Sequence, residues 1–171
     1  MLPTVDIKGK RPAASEVDQI LRLNVASVWT AVGHISAVGV LIRDGRTTQF
    51  MTASCFRRIL YMDPALFFAS ACCEGIRMAV SLYEPTAIVL ESHLVHLLQL
   101  LDATQSQAGE VLQLNQLLGS NPPPYFRIKS IPEEFNRAAC QLAHHALQME
   151  ASEMVCKDPP DWLVPYLHQW G

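Results

Sequence analysis

The order of apolar and polar residues in the first third of the chain predicts three strands. Residues 21–28 alternate apolar and polar side chains, as a strand with one buried face does. Residues 37–42 form a continuous apolar run, which predicts a more buried strand. A turn sequence at residues 43–46 separates this run from a third predicted strand at residues 48–56. Strands joined in this way form an antiparallel meander.

The rest of the chain alternates between helical and strand patterns. Asp63 and Pro64 resemble a helix start, with Asp as the N-cap and Pro in the first turn, and the apolar stripe continues to about residue 83. Residues 87–91 are a continuous apolar run that predicts a buried, parallel-type strand, and residues 125–131 predict the fifth strand. Further helices are predicted at residues 94–101, 109–118 and 133–150.

Taken together, these elements predict an α/β domain with a mixed five-stranded sheet, three antiparallel strands followed by two more, and helices on both faces. Residues 1–18 show no periodicity, so we expect a flexible leader there and one domain over residues 19–171. The apolar, aromatic stretch at residues 162–170 is expected to pack against the domain or to contact a partner.

Composition narrows the classes of partner. Half of the 171 residues are hydrophobic and 17% are charged, which fits either a surface partly covered by a partner or a generously packed core with scattered apolar residues on the surface. There are 13 Lys and Arg against 16 Asp and Glu, with no long basic run, so binding to duplex nucleic acid is not favoured.

Cysteine usage indicates a reducing compartment. The five cysteines are odd in number and form no Cys-x-x-Cys pair, which does not fit a disulfide framework or a zinc module. No apolar run reaches the length of a signal core at the N-terminus or of a membrane span elsewhere. We therefore expect a cytoplasmic or nuclear protein without membrane association.

Short motifs in a fixed order carry a family resemblance. They lie at residues 23–25, 39–44, 71–79, 88–92, 136–139, 142–146 and 159–163. On these motifs the chain resembles the ribonuclease H-like domain found widely in plants, of the retrotransposon-derived, reverse-transcriptase-associated type, over about residues 21–167. The resemblance implies a ribonuclease H-like fold.

Active members of that family cleave the RNA strand of an RNA–DNA hybrid with two divalent ions, which four converging carboxylates hold. The resemblance puts those four positions, one after another, at Ala26, Phe68, His93 and Cys140. None of these side chains is a carboxylate, so we expect a pseudoenzyme with no metal and no cofactor. Glu74 does not replace Phe68, because it lies roughly 240° further round the helix, and Glu91 corresponds to a family Glu that accompanies the catalytic Asp.

Two interpretations of the altered positions stay open. His93 and Cys140 converge in the fold and would suit a Cys–His pair or a soft-metal site, although two ligands are too few for structural zinc. In the alternative, the vacated site is filled with neutral side chains, which removes the mutual repulsion of four carboxylates.

The sequence favours a catalytically inactive domain that binds another protein or itself. Candidate contacts are Trp162, Tyr166 and Trp170, together with the edge strand that the meander leaves available. A second hypothesis is nucleic-acid binding without cleavage. It predicts a contiguous face containing Arg43, Arg46, Arg57 and Arg58. A third is residual cleavage of RNA–DNA hybrids.

Overall fold

The computed structural model describes residues 19–30, 34–59, 64–94 and 125–167, which build one mixed sheet with helices on both faces. The described strands are β1 (Ile20–Thr30), β2 (Ile35–Asp44), β3 (Phe50–Ile59), β4 (Ala87–Ser92), β5 (Tyr125–Ser130) and β6 (Glu153–Cys156). They lie in the sheet in the order β5-β4-β1-β2-β3-β6. The helices are α1 (Pro64–Tyr83), α2 (Arg137–Gln148) and α3 (Val164–Leu167), and a 3-10 turn at Glu133–Phe135 precedes α2.

The sheet confirms the five predicted strands and adds a sixth. Strands β1, β2 and β3 form the antiparallel meander, while β4 runs parallel to β1 and β5 parallel to β4. Strand β6 pairs antiparallel with β3. The predicted number of five strands is therefore wrong by one, and β3 is not an edge strand, because β6 covers it.

Alternation along the strands divides the core into two layers. Leu21, Leu23 and Val25 of β1 face α1, where they pack with Phe68 and Ile76. The opposite face of the sheet packs against α2 and α3 through a second buried cluster that includes Ala37, Leu41, Ala53, Leu142 and Leu163. On that second face β1 also carries the polar residues Arg22 and Asn24, which belong to the site described below.

The predicted and observed helices differ mainly in the residues at which they begin. Helix α1 spans Pro64–Tyr83, as predicted, whereas the last long helix begins at Arg137 and not at residue 133, because the 3-10 turn comes first. The leader at residues 1–18, Asp63, Trp170, the helix at residues 109–118 and nearly all of the one at 94–101 lie outside the described residues. No helix in the described ranges is long and apolar enough to cross a membrane.

Candidate functional site

Three of the four positions implied by the resemblance lie around the start of α2. Ala26 is 1% exposed in β1, His93 follows β4 and is half-buried, and Cys140 lies in the first turn of α2. Phe68 is fully buried in the core cluster on the α1 face together with Val25. Since successive side chains of a strand point to opposite faces, Phe68 packs on the side of the sheet away from Ala26.

A buried asparagine joins these elements. The Asn136 Nδ2 donates hydrogen bonds to the Val25 carbonyl at 3.1 Å and to His93 Nδ1 at 2.9 Å. The Asn136 Oδ1 accepts from Asn24 Nδ2 at 3.1 Å. A carbonyl can only accept, so Val25 fixes the orientation of the amide, and His93 Nδ1 must accept as well. His93 is therefore neutral in this arrangement, with its proton on Nε2.

Asn24 extends the same network to charged groups. Its Oδ1 accepts from Arg43 Nη2 at 3.0 Å, and its Nδ2 donates to Glu91 Oε1 at 3.3 Å. The other oxygen of Glu91 lies 3.6 Å from Arg22 Nε. Asn24, Arg43 and Glu91 are each 1% exposed or less.

Charge in this network is net positive. Burial lowers the pKa of Arg43, Glu91 opposes this shift and Arg22 adds to it, and the resulting pKa is about 10. The guanidinium thus stays protonated at neutral pH, and two arginines adjoin one carboxylate. A site that binds divalent cations needs the opposite balance of charge.

His93 and Cys140 do not have the protonation states of a reactive pair. Burial, together with a smaller effect of the negative charge of Glu133, raises the pKa of the Cys140 thiol to about 11. Burial lowers the pKa of His93, although Glu133 opposes that shift. A catalytic Cys–His pair requires a thiolate, which these surroundings disfavour.

The residues present do not fit a pair of magnesium ions. Across residues 19–30, 34–59, 64–94 and 125–167, no group of three or more His, Cys, Asp or Glu side chains is arranged to hold a metal ion. Glu74 is engaged elsewhere, with Oε1 3.7 Å from Arg58 Nη2. Ala, Phe, His and Cys do not supply the oxygen ligands that hard divalent cations take.

Comparison with known proteins identifies the fold. The chain matches the N-terminal RNase H domain of a protein from Mycobacterium tuberculosis with a TM-score of 0.60 and 12% identity, over 76% of this chain and 94% of that one. It matches RNase H1 from the archaeon Halobacterium salinarum NRC-1 with a TM-score of 0.58 and 16% identity, over 75% and 97% of the two chains. The fold is ribonuclease H-like. A third match, LC11-RNase H1 in complex with an RNA/DNA hybrid, has a TM-score of 0.59 and 11% identity over 75% of this chain and 99% of that one.

These matches establish the fold alone, since sequence identity is low. No protein-family model and no curated protein matches the chain. The ribonuclease H-like fold expected from the motifs is thus confirmed. The plant and retrotransposon-derived origin stays a prediction.

Within this ribonuclease H-like fold, the sequence predicted four altered positions but did not predict the polar network that lies beside three of them. Asn24 and Asn136 were named only as parts of the motifs that carry the resemblance. Glu91 was not predicted to replace a metal ligand, and Arg43 was predicted to lie on an exposed face. The alternation along residues 21–28 assigns Asn24 to the exposed face, between the buried Leu23 and Val25, so this pattern gave no signal that Asn24 is buried.

The four arginines predicted to form a nucleic-acid face do not do so. Arg43 is buried, and Arg57 Nη1 donates to the carbonyls of Ala146 and Met149 at 2.8 and 2.6 Å. Arg58 lies over the Phe56 ring, 4.5 Å from its centre. Arg46 alone of the four is exposed, in the turn after β2. The predicted contiguous face is wrong, because Arg43 is buried, and Arg57 and Arg58 are neighbours in β3 whose side chains point to opposite faces of the sheet.

Two of the aromatic residues predicted to contact a partner pack against the domain itself. Trp162 stacks on His145 with ring centres 4.3 Å apart, and both Trp162 and Tyr166 lie against the core cluster on the α2 face. Trp170 lies outside the described residues. The use of these side chains in binding a partner stays a prediction.

The neutral state of His93 predicts that acid weakens the fold. Its folded pKa lies below the ordinary value of 6.5, so the unfolded chain binds more protons as the pH falls below about that value. Stability present at pH 7.5 is then lost towards pH 5.5, as protonation breaks the bond from Asn136. His93→Gln keeps an acceptor that does not titrate, and its melting temperature should fall less between these two pH values than that of the native protein.

The exposed His144 of α2 offers the matched control for this experiment. His144→Gln should keep the acid sensitivity of the native protein, because the remaining carboxylates and His93 are unchanged. Equal losses of melting temperature in the native protein and in His93→Gln would contradict the assignment.

Proposed function

We propose that this chain is a ribonuclease H-like domain that has lost hydrolysis and acts as a protein-interaction module. The observation that carries the proposal is the state of Glu91. It is the carboxylate of the buried network, and it is fully buried between Asn24 and Arg22, with Arg43 bound to the same asparagine. This carboxylate lies in a network with two arginines, and that balance of charge does not favour the binding of a divalent cation.

The neutral groups at the other positions support the same proposal. Asn136 hydrogen-bonds to both the Val25 carbonyl and the His93 ring. The resemblance implies that the carboxylates of active family members cluster in this region. These hydrogen bonds connect β1, the residue that follows β4 and the start of α2 through side chains that carry no negative charge. They stabilise the domain as it stands and do not supply the carboxylate oxygens that a pair of magnesium ions requires.

Exposed apolar side chains support the interaction role. The structure leaves large hydrophobic residues at the surface, among them Trp29, Ile59, Tyr125 and Val155, which are 48, 69, 69 and 55% exposed. Trp29 and Ile59 lie at the same end of the sheet but on opposite faces, because Trp29 pairs with Ser36 and Ile59 with the neighbouring Ile35. Exposed apolar residues of this kind are candidate contacts for a protein partner.

The proposal predicts no cleavage of an RNA–DNA hybrid. Purified protein incubated with a labelled hybrid and Mg²⁺ or Mn²⁺ should release no product, under conditions in which an active ribonuclease H1 degrades the substrate fully. The control for contaminating nuclease is the double variant His93→Ala/Cys140→Ala. Metal-dependent cleavage that coelutes with the native protein and disappears in this variant would contradict the proposal.

A second candidate, nucleic-acid binding without cleavage, is favoured by β5. Tyr125, Arg127 and Lys129 are exposed, and they lie on one side of the sheet because they pair with alternate residues of β4. An aromatic ring beside two cations is the kind of surface on which single-stranded nucleic acid stacks. Binding of the same labelled hybrid, or of either strand alone, at low salt decides this candidate, and its absence removes it.

A further inference from the structure

The outer edge of β6 carries backbone groups that no strand within the described ranges engages. Among the strands of the described residues, β6 is the last of the sheet and pairs only with β3. The Arg57 N–H donates to the Ser152 carbonyl at 2.9 Å, so these two residues form a hydrogen-bonded pair of the ladder. Bonded pairs alternate in an antiparallel ladder. The backbone groups of Met154 and Cys156 therefore face β3, and those of Glu153 and Val155 point outward.

The side chains along this edge are self-complementary. Val155 is 55% exposed, and it is flanked two residues away by the exposed Glu153 and Lys157. Val155 pairs with Ser54 and Glu153 with Phe56, so both side chains lie on the face of the sheet that α1 covers. The edge thus presents Glu153, Val155 and Lys157 at alternate positions. If β6 extends by one residue to include Lys157, the backbone groups of all three point outward.

We propose that the partner of this edge is a second copy of the chain. Two β6 strands pair antiparallel about a two-fold axis at Val155, which joins two six-stranded sheets into one continuous sheet. Val155 then lies opposite Val155 of the second copy, and each Glu153 lies opposite a Lys157. All facing residues are outward-pointing, so they form hydrogen-bonded pairs.

Other registers lose these contacts. A shift of the partner by one residue sets outward-pointing groups against groups already bonded to β3. A shift of the axis to Met154 pairs Glu153 with Val155, and a shift to Cys156 pairs Val155 with Lys157. The register about Val155 alone combines an apolar pair with two opposite-charge pairs, and cross-strand pairs of this kind stabilise a sheet.

This inference rests on the proposed function, because it names the partner of the interaction module. The charge pattern favours a second copy over an unrelated peptide, because a second copy places a lysine opposite each Glu153 and a glutamate opposite each Lys157. The paired edge is short, so we expect a weak and concentration-dependent dimer, with a dissociation constant on the order of micromolar or above.

The test is charge reversal measured by sedimentation of the full chain over a range of concentrations. Glu153→Lys and Lys157→Glu each turn two attractive pairs into two repulsive ones, so each variant alone should associate about tenfold more weakly or not at all. In a mixture of the two variants, each introduced charge faces an introduced charge of opposite sign, and the native Lys157 of one variant faces the native Glu153 of the other. The mixture should therefore regain a dimer at least as stable as the native one.

Both substituted positions are exposed, so each variant should keep its native melting temperature, which checks that association and not folding has changed. A native chain that sediments as a monomer at all concentrations overturns the inference, as does a dimer that the single reversals leave intact. Failure of the mixture to associate also overturns it. If the native chain is a monomer but captures a different protein, self-association fails while the proposed function stands, whereas hybrid cleavage overturns the proposed function alone.

Discussion

Replacing Gly39 with alanine is expected to cost more than about 3 kcal/mol in free energy of unfolding, a large share of the stability of a domain of this size. Gly39 lies in β2 directly beneath α2. An added Cβ would lie 2.5 Å from Leu142 Cβ and 2.7 Å from the Ala143 nitrogen, and closer still to the Ala139 carbonyl oxygen. Two of these three atoms belong to the backbone, so the whole helix must move away from the sheet.

Gly75→Ala is the matched control for this substitution. A Cβ at Gly75 would lie 3.2 Å from a methyl group of Val40, which is a side-chain contact that a small shift relieves. Alanine also favours the helical conformation by up to about 1 kcal/mol over glycine. Urea denaturation followed by circular dichroism should place Gly75→Ala within about 1 kcal/mol of the native protein. Similar stabilities for the two variants would contradict the close packing of α2.

Replacing Arg43 with methionine should cost about 3 kcal/mol, because it removes a buried cation and leaves its partners behind. The Asn24 Oδ1 loses the bond from Arg43 Nη2, and Glu91 keeps the half-buried Arg22 beside it but loses the positive charge of Arg43. Methionine fills most of the vacated space. The loss is therefore expected to come from electrostatics and hydrogen bonding more than from packing.

Arg46→Met is the control with the same chemical change. Arg46 lies three residues further along the chain in the exposed turn, so its replacement should change the free energy of unfolding by no more than about 0.5 kcal/mol. Both values come from urea denaturation at neutral pH. A loss of less than about 1 kcal/mol for Arg43→Met would mean that the buried network contributes little to stability.

The sequence predicted most of the sheet, because long apolar runs mark buried strands whatever their partners. The run at residues 87–91 became Ala87–Ser92, and residues 125–131 became Tyr125–Ser130. Strand β6 was missed for a physical reason. It has four residues, of which two are exposed, so it carries no period of its own, and only its pairing with β3 makes it a strand.

The buried network could not be predicted from the sequence for a similar reason. Asn24 and Asn136 stand 112 residues apart, and Glu91 meets Asn24 only because β4 pairs with β1 in one particular register. Motif order located Ala26, His93 and Cys140 without showing that an asparagine joins their surroundings. The charge of Arg43 also suggested an exposed position, because an arginine is seldom fully buried without partners.

The position of β6 has a consequence for synthesis on the ribosome. Strand β3 leaves the ribosome long before Glu153–Cys156, and domains form from the N-terminal side as the chain grows. Until β6 emerges, the meander presents an unpaired edge with Ala53 and Cys55 on it, which is a template for pairing with another nascent chain. A chain truncated after α2 would leave the edge of β3 permanently unpaired, so the truncated protein is expected to aggregate.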